Sequence, residues 1–315
     1  MPFCRFLSPG LRLTSVALAL LAGVLPATAA RAGTVLQRVA TSGELVVGSD
    51  PLLPPLSFLD SKGQPAGYGV EVVRRIQAEL STALGRPVTV RYEAVSDPAE
   101  LVRRVGQGKL ALACGVPFSW ARDAQVDYTL PIGLSGIRVL APAGRIDGSA
   151  ASLLGRRIGA VPGSLGEAVL KGVQPQARLV PFANLGDAVV ALQAGQLDGV
   201  MGDTNLLTGK ASSLGASGLV VTPEQPFERY AVGCVVPEND SAFRDLTNLA
   251  IARLLQGYVD GDPAAVTSVE RWVGPKGVLG VPSERIRTYF ESVLLNYEAI
   301  RPQGPVAASS APSSP

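Results

Sequence analysis

Two charged side chains sit where their chemistry could matter. Arg122, in Ser119-Trp120-Ala121-Arg122, offers a planar, permanently charged fork able to grip a carboxylate through two hydrogen bonds. Asp203 follows the apolar stretch Leu197–Met201 and opens a helical pattern. That places it at the carboxyl end of a buried strand, where open α/β sheets bind ligands. Ser164 stands at a glycine turn before another helix, whose free N–H groups favour anions. Taken alone, Arg122 reads as a surface arginine and Asp203 as a helix N-cap, the common fates of such residues. The chain has no histidine. A Ser-His-Asp triad, a histidine base and a histidine-ligated zinc or haem are therefore excluded. No metal site and no cofactor are expected, because no P-loop, dinucleotide fingerprint or EF-hand spacing is present.

Those residues need a folded frame, and the 315-residue chain is 47% hydrophobic and 17% charged, which favours a globular body. The first 29 residues read as a signal peptide: Arg5 and Arg12, the apolar stretch 13–25, then Ala27-Thr28-Ala29. Removing them leaves 26 basic against 26 acidic residues, which argues against nucleic acid as a partner. Export changes the meaning of the cysteines. Cys4 leaves with the signal, and Cys114 and Cys234 remain as a bridge or as two free core thiols.

Strand and helix patterns alternate along the chain. Glu44–Gly48, Val88–Tyr92, Leu110–Cys114, Arg157–Val161, Arg178–Pro181 and Leu197–Met201 read as strands. Between them, helices are expected over 70–84, from the cap Asp97-Pro98-Ala99-Glu100 to Gly106, and over 164–171, 184–194 and 203–210. Further helices follow over 240–256, 262–272 and 283–300. The tail 301–315, rich in Pro, Ala and Ser, reads as disordered. This rhythm implies open, mainly parallel sheets wound by helices.

An ordered series of motifs carries a resemblance. SGELVVGSDPLLPPLSFLD (42–60), Gly67-Tyr68-Gly69-Val70-Glu71 and GKLA (108–111) come first. They are followed by Ser119-Trp120-Ala121-Arg122 with VDYTLPI (126–132), by LGRRIGAVPGS (154–164) and by ALQAGQLDGVMGD (191–203). Together they resemble the bacterial extracellular solute-binding proteins of family 3, the polar amino-acid type. The resemblance implies a two-lobed α/β periplasmic-binding-protein fold of type II, two open sheets joined by two crossing strands. On that map lobe 1 is 35–135 plus 229–300 and lobe 2 is 136–228, with crossings near Leu134–Gly136 and Phe227–Tyr230.

The resemblance also implies roles. Arg122 would bind the carboxylate of an amino-acid-like solute and Asp203 its ammonium, with Ser164, Ser119, Leu53 and Leu165 completing the contact set. Leu53 stands where the family usually carries an aromatic, and Phe58, Tyr68 and Trp120 are the substitutes on offer. Gly115, Pro117 and Phe118 replace family hydroxyl donors, so the lobe 1 wall is expected to be less polar. The implied protein is a periplasmic monomer, not an enzyme, that hands its solute to an ABC permease. Two alternatives stay open. One is an orphan sensor docking on another exported protein, since the run Cys114–Trp120 is similar to family members without a permease. The other is an exported aromatic-acid dehydratase, with Glu167 as the nearest candidate acid.

Overall fold

The computed structural model describes residues 33–296; the signal-peptide segment, the tail and the last turn of the expected helix 283–300 lie outside them. The chain opens with α1 (Val35–Ser42), whose Thr34 hydroxyl accepts from Gln37 N while the Gln37 side chain returns the bond. β1 (Glu44–Ser49) follows, then a small antiparallel sheet of β2 (Leu52–Leu53), β3 (Ser57–Leu59) and β4 (Pro65–Ala66). α2 (Tyr68–Leu84) buries Val72, Val73, Ile76 and Leu80 along one stripe. After β5 (Thr89–Ala94), α3 (Pro98–Gly106) starts as its sequence prescribes, Asp97 Oδ1 accepting from Ala99 N and Glu100 N. β6 (Leu112–Pro117), α4 (Trp120–Asp123), β7 (Asp127–Tyr128) and the long β8 (Gly133–Pro142) complete the first stretch.

The middle alternates strictly: β9 (Arg157–Ala160), α5 (Leu165–Val173), β10 (Arg178–Pro181), α6 (Leu185–Gln193), β11 (Gly199–Asp203), α7 (Thr204–Ser213) and β12 (Leu219–Thr222). β13 (Glu228–Val236) then returns, followed by α8 (Ser241–Asp260), α9 (Pro263–Glu270) and α10 (Ser283–Asn296).

Hydrogen-bonded strands run β10-β9-β11-β8-β13-β6-β1-β5. The three strands at each end are parallel, as the alternation implies. The two long strands in the middle are antiparallel to each other, pairing 133–137 with 228–232. Two open sheets joined by two crossing strands were expected; the crossing strands bond to each other along this stretch, so the two parallel ends lie on one continuous path. Apolar clusters lie on both sides of it. α1, α2, α8, α9 and α10 pack with β1, β6 and β13, and a smaller cluster under α3 covers the opposite face. At the other end, α5 lies on one face and α6 with α7 on the other. Cys114 and Cys234, opposite each other on β6 and β13, form a disulfide, which settles the two readings of the thiols. No helix among the described residues is long and apolar enough to cross a membrane.

Candidate functional site

β1 and β11 end at acids that face one cavity. Asp50 follows β1, Asp203 is the last residue of β11, and both line a space of about 140 Å³ with Arg122. Strand ends point carboxylates into the crevice because the helices that follow turn away over the sheet.

Asp203 is 8% exposed. Its Oδ1 caps α7 by accepting from Leu206 N at 3.0 Å, and its Oδ2 accepts from the Tyr230 hydroxyl at 2.6 Å. Burial pushes its carboxyl above the ordinary 3.8, opposed by the Tyr230 and Leu206 hydrogen bonds. Burial and the neighbouring carboxylate hold the Tyr230 phenol well above its usual value, so it stays a donor. Tyr230 also lines the cavity. It was legible only as part of the second crossing.

Arg122 rides on the four-residue α4. Its backbone N–H bonds Ser119 O, and its Nη1 donates to the Pro117 carbonyl at 3.0 Å. The Tyr128 hydroxyl donates to the same carbonyl at 2.6 Å. Pro117 has no N–H to give, but its carbonyl steadies the guanidinium. No acid pairs with Arg122 among the described residues, which leaves its charge for a ligand.

Ser164 Oγ accepts from Glu167 N at 3.2 Å and so caps α5. α5 comes close to β11 because Gly166 has no side chain: a Cβ there would stand 2.8 Å from Met201 O. Ser164, Leu165 and Gly166 thereby line the cavity beside Asp203. Leu53 lines it too. Of the six expected contact residues only Ser119 is outside the lining; its carbonyl accepts from Arg122 N and Asp123 N and so anchors α4.

The aromatic substitutes for Leu53 are elsewhere. Phe58 packs edge-on against Trp272, Tyr68 is buried, and Trp120 is 80% exposed against Phe118. The wall on this side is largely apolar, in line with the expectation, with Leu52, Val95, Leu101, Val116 and Pro117 in it, and one acid interrupts it, Asp50. Its Oδ1 accepts from Leu52 N at 2.9 Å and from Ser96 Oγ at 3.2 Å, and Ser96 lines the cavity as well. Burial raises the Asp50 carboxyl, with those two bonds and the Lys210 charge pulling the other way. Sequence reasoning missed Asp50, although it ends a parallel strand just as Asp203 does.

Glu167 is not among the lining residues. The Lys171 ammonium at 2.8 Å and the Gly163 N–H hold its carboxyl below the ordinary range. Among the described residues no cluster of His, Cys, Asp and Glu could hold a metal.

One guanidinium, the buried Asp203 carboxylate and the half-buried Asp50 carboxylate line a small, largely apolar space, an arrangement that can complement a solute bearing both charges. The sequence profile of the bacterial extracellular solute-binding proteins, family 3, matches residues 45–259. The chain belongs to this family. The L-glutamate/L-aspartate-binding protein of Pseudomonas aeruginosa is 26% identical over 286 residues, 86% of this chain and 91% of that one. An ancestral arginine-binding protein bound to glutamine superposes with a TM-score of 0.63 at 22% identity, over 73% of this chain and 97% of that one. An ancestral amino-acid-binding protein, a precursor of cyclohexadienyl dehydratase, gives 0.64 at 20%, over 76% and 99%. These superpositions identify the type II periplasmic-binding-protein fold.

Proposed function

We propose that this chain is an exported binding protein that captures a small α-amino acid between two lobes and passes it to an ABC importer. The lobes are 35–135 plus 229–300, and 136–228, turning about the paired crossing strands 133–137 and 228–232. The solute carboxylate lies on Arg122 and the N-terminal amides of α5, its ammonium on Asp203. The observation that carries this reading is the charge set of the cavity: Arg122 as the one cation of the lining, with Asp50 and Asp203 as its acids.

That set also selects the side chain. With Arg122 and Asp203 engaged, Asp50 and Ser96 face what remains of the ligand. A second carboxylate would meet the Asp50 anion and no cation in the lining, so a neutral or cationic hydrogen-bond donor is favoured. The space of about 140 Å³ suits a single amino acid, being below the ~300 Å³ at which drug-sized sites begin.

The relatives with curated functions are binding proteins, and the dehydratase reading is the weaker one, since Glu167 is ion-paired and away from the cavity lining. A thermal-shift screen against the common amino acids tests the proposal. A ligand that binds only the folded chain stabilises it by about 2.7 kcal/mol at 100 times Kd. A shift that disappears in Arg122→Ala supports the reading; no shift with any amino acid overturns it in favour of an orphan sensor.

A further inference from the structure

A second cavity, of about 200 Å³, shares no lining residue with the first. It lies where the chain enters β8, roofed by Val281, Ile286 and Phe290 of the C-terminal segment, beyond the family-matched stretch 45–259. Its floor is the backbone of 132–134, and three successive carbonyls there are already satisfied. The Tyr68 hydroxyl donates to Ile132 O, the Tyr289 hydroxyl to Gly133 O and Asn205 Nδ2 to Leu134 O, each at 3.0 Å.

The consequence is chemical. A water entering this space would find these three carbonyls already bonded, and walls made mostly of Leu, Ile, Val and Phe side chains, the polar ends of Tyr68, Tyr289 and Asn205 being engaged on those carbonyls. Apolar cavities of about 150 Å³ stay dry and take up benzene. One charged side chain lines the cavity, the exposed Arg285, and it stands in no ion pair among the described residues. An apolar interior with a lone guanidinium at its rim complements a ring bearing one negative group. We propose that this cavity is a second binding site, taking a small aromatic monocarboxylate whose ring fills the interior and whose carboxylate meets Arg285. The inference stands apart from the amino-acid reading of the first cavity.

Benzoate is the probe, titrated calorimetrically into the full chain and three variants. Arg122→Ala removes the competing guanidinium of the first cavity and is expected to bind benzoate as the unsubstituted chain does. Arg285→Gln is expected to weaken it about three- to tenfold, the range for an exposed charge-assisted contact. Gly133→Leu places a side chain on a residue that lines the cavity and is expected to abolish binding; a Cβ at Gly133 would meet no atom within 4 Å, so the side chain starts without a clash. Binding lost in Arg122→Ala but kept in Arg285→Gln and Gly133→Leu would place benzoate in the first cavity and overturn the proposal. So would the absence of saturable binding to the unsubstituted chain up to about 10 mM, weaker than any specific site of this kind.

Discussion

Arg122, Asp203, Asp50 and Tyr230 divide the work of the first cavity by their hydrogen-bonding capacity. Arg122 spends one N–H on Pro117 O and keeps its fork. Replacing it by alanine should weaken amino-acid binding about thirtyfold or more in calorimetry, because a bound carboxylate would lose charge-assisted bonds of about 2 kcal/mol. Asp203 sets the pH dependence. Its carboxyl titrates above the ordinary 3.8 because it is buried, so the folded chain holds this proton more tightly than the unfolded chain does. The destabilisation this causes is absent below 3.8, sets in between that value and the raised one, and is complete above it. A ligand ammonium needs the ionised form, so affinity should fall as pH drops through the raised value. Tyr230→Phe removes a bond that favours the ionised acid, and should move the acid limb of the affinity–pH curve to higher pH. Asp203→Asn should remove that part of the slope, leaving the share due to Asp50.

Elements deliver these residues, and α7 does so under the tightest constraint. A Cβ on Gly209 would fall 2.2 Å from Pro54 O, and Leu206 of the same helix packs into the core cluster of α2 and β1 as well as that of α6 and β11. α7 thus presses one half of the sheet path against the other beside the cavity. Gly209→Ala should force this contact apart. The expected result is at least about a tenfold loss of ligand affinity, since closure contacts are lost with it, together with a larger radius of gyration in small-angle scattering. A mutant with unchanged affinity and size would contradict that account of α7. Much at this scale was legible in the residues. Asp97 and Asp203 were legible as caps and accept backbone N–H groups accordingly, and the structure adds Ser164 and Asn184 as the caps of the helices expected to begin there. Periodicity located α2 because it buries a regular stripe, whereas the parallel strands were legible as short apolar runs between helices. α1 and the short α4 were missed: eight and four residues give too little pattern to count. The length of β8 was missed because a strand flanked by sheet on both sides alternates weakly. Asp50 follows β1 just as Asp203 ends β11, so the strand-end rule applied equally to it, but the family motif marks the neighbouring Leu53.

At the scale of the whole molecule, the antiparallel stretch of β8 and β13 joins the two ends of the sheet path, and the Cys114–Cys234 bridge ties β13 to β6 beside it. The bridge closes a loop of 120 residues, so the chain-entropy model assigns it about 4–5 kcal/mol. Cys114→Ser with Cys234→Ser should lower the unfolding free energy by about 2–5 kcal/mol in urea titration. Loss of stability without loss of ligand affinity is expected, since neither cysteine lines the cavity.

The central claim is that the charges of this cavity select a zwitterion with a non-acidic side chain. Calorimetric titration of arginine, glutamine and glutamate into the chain at neutral pH tests it most directly. The account predicts one-site binding of arginine or glutamine at least about tenfold tighter than glutamate, because a like charge facing Asp50 costs more than 1.4 kcal/mol. Glutamate as the tightest ligand, or no binding of any of the three at millimolar concentration, would contradict it.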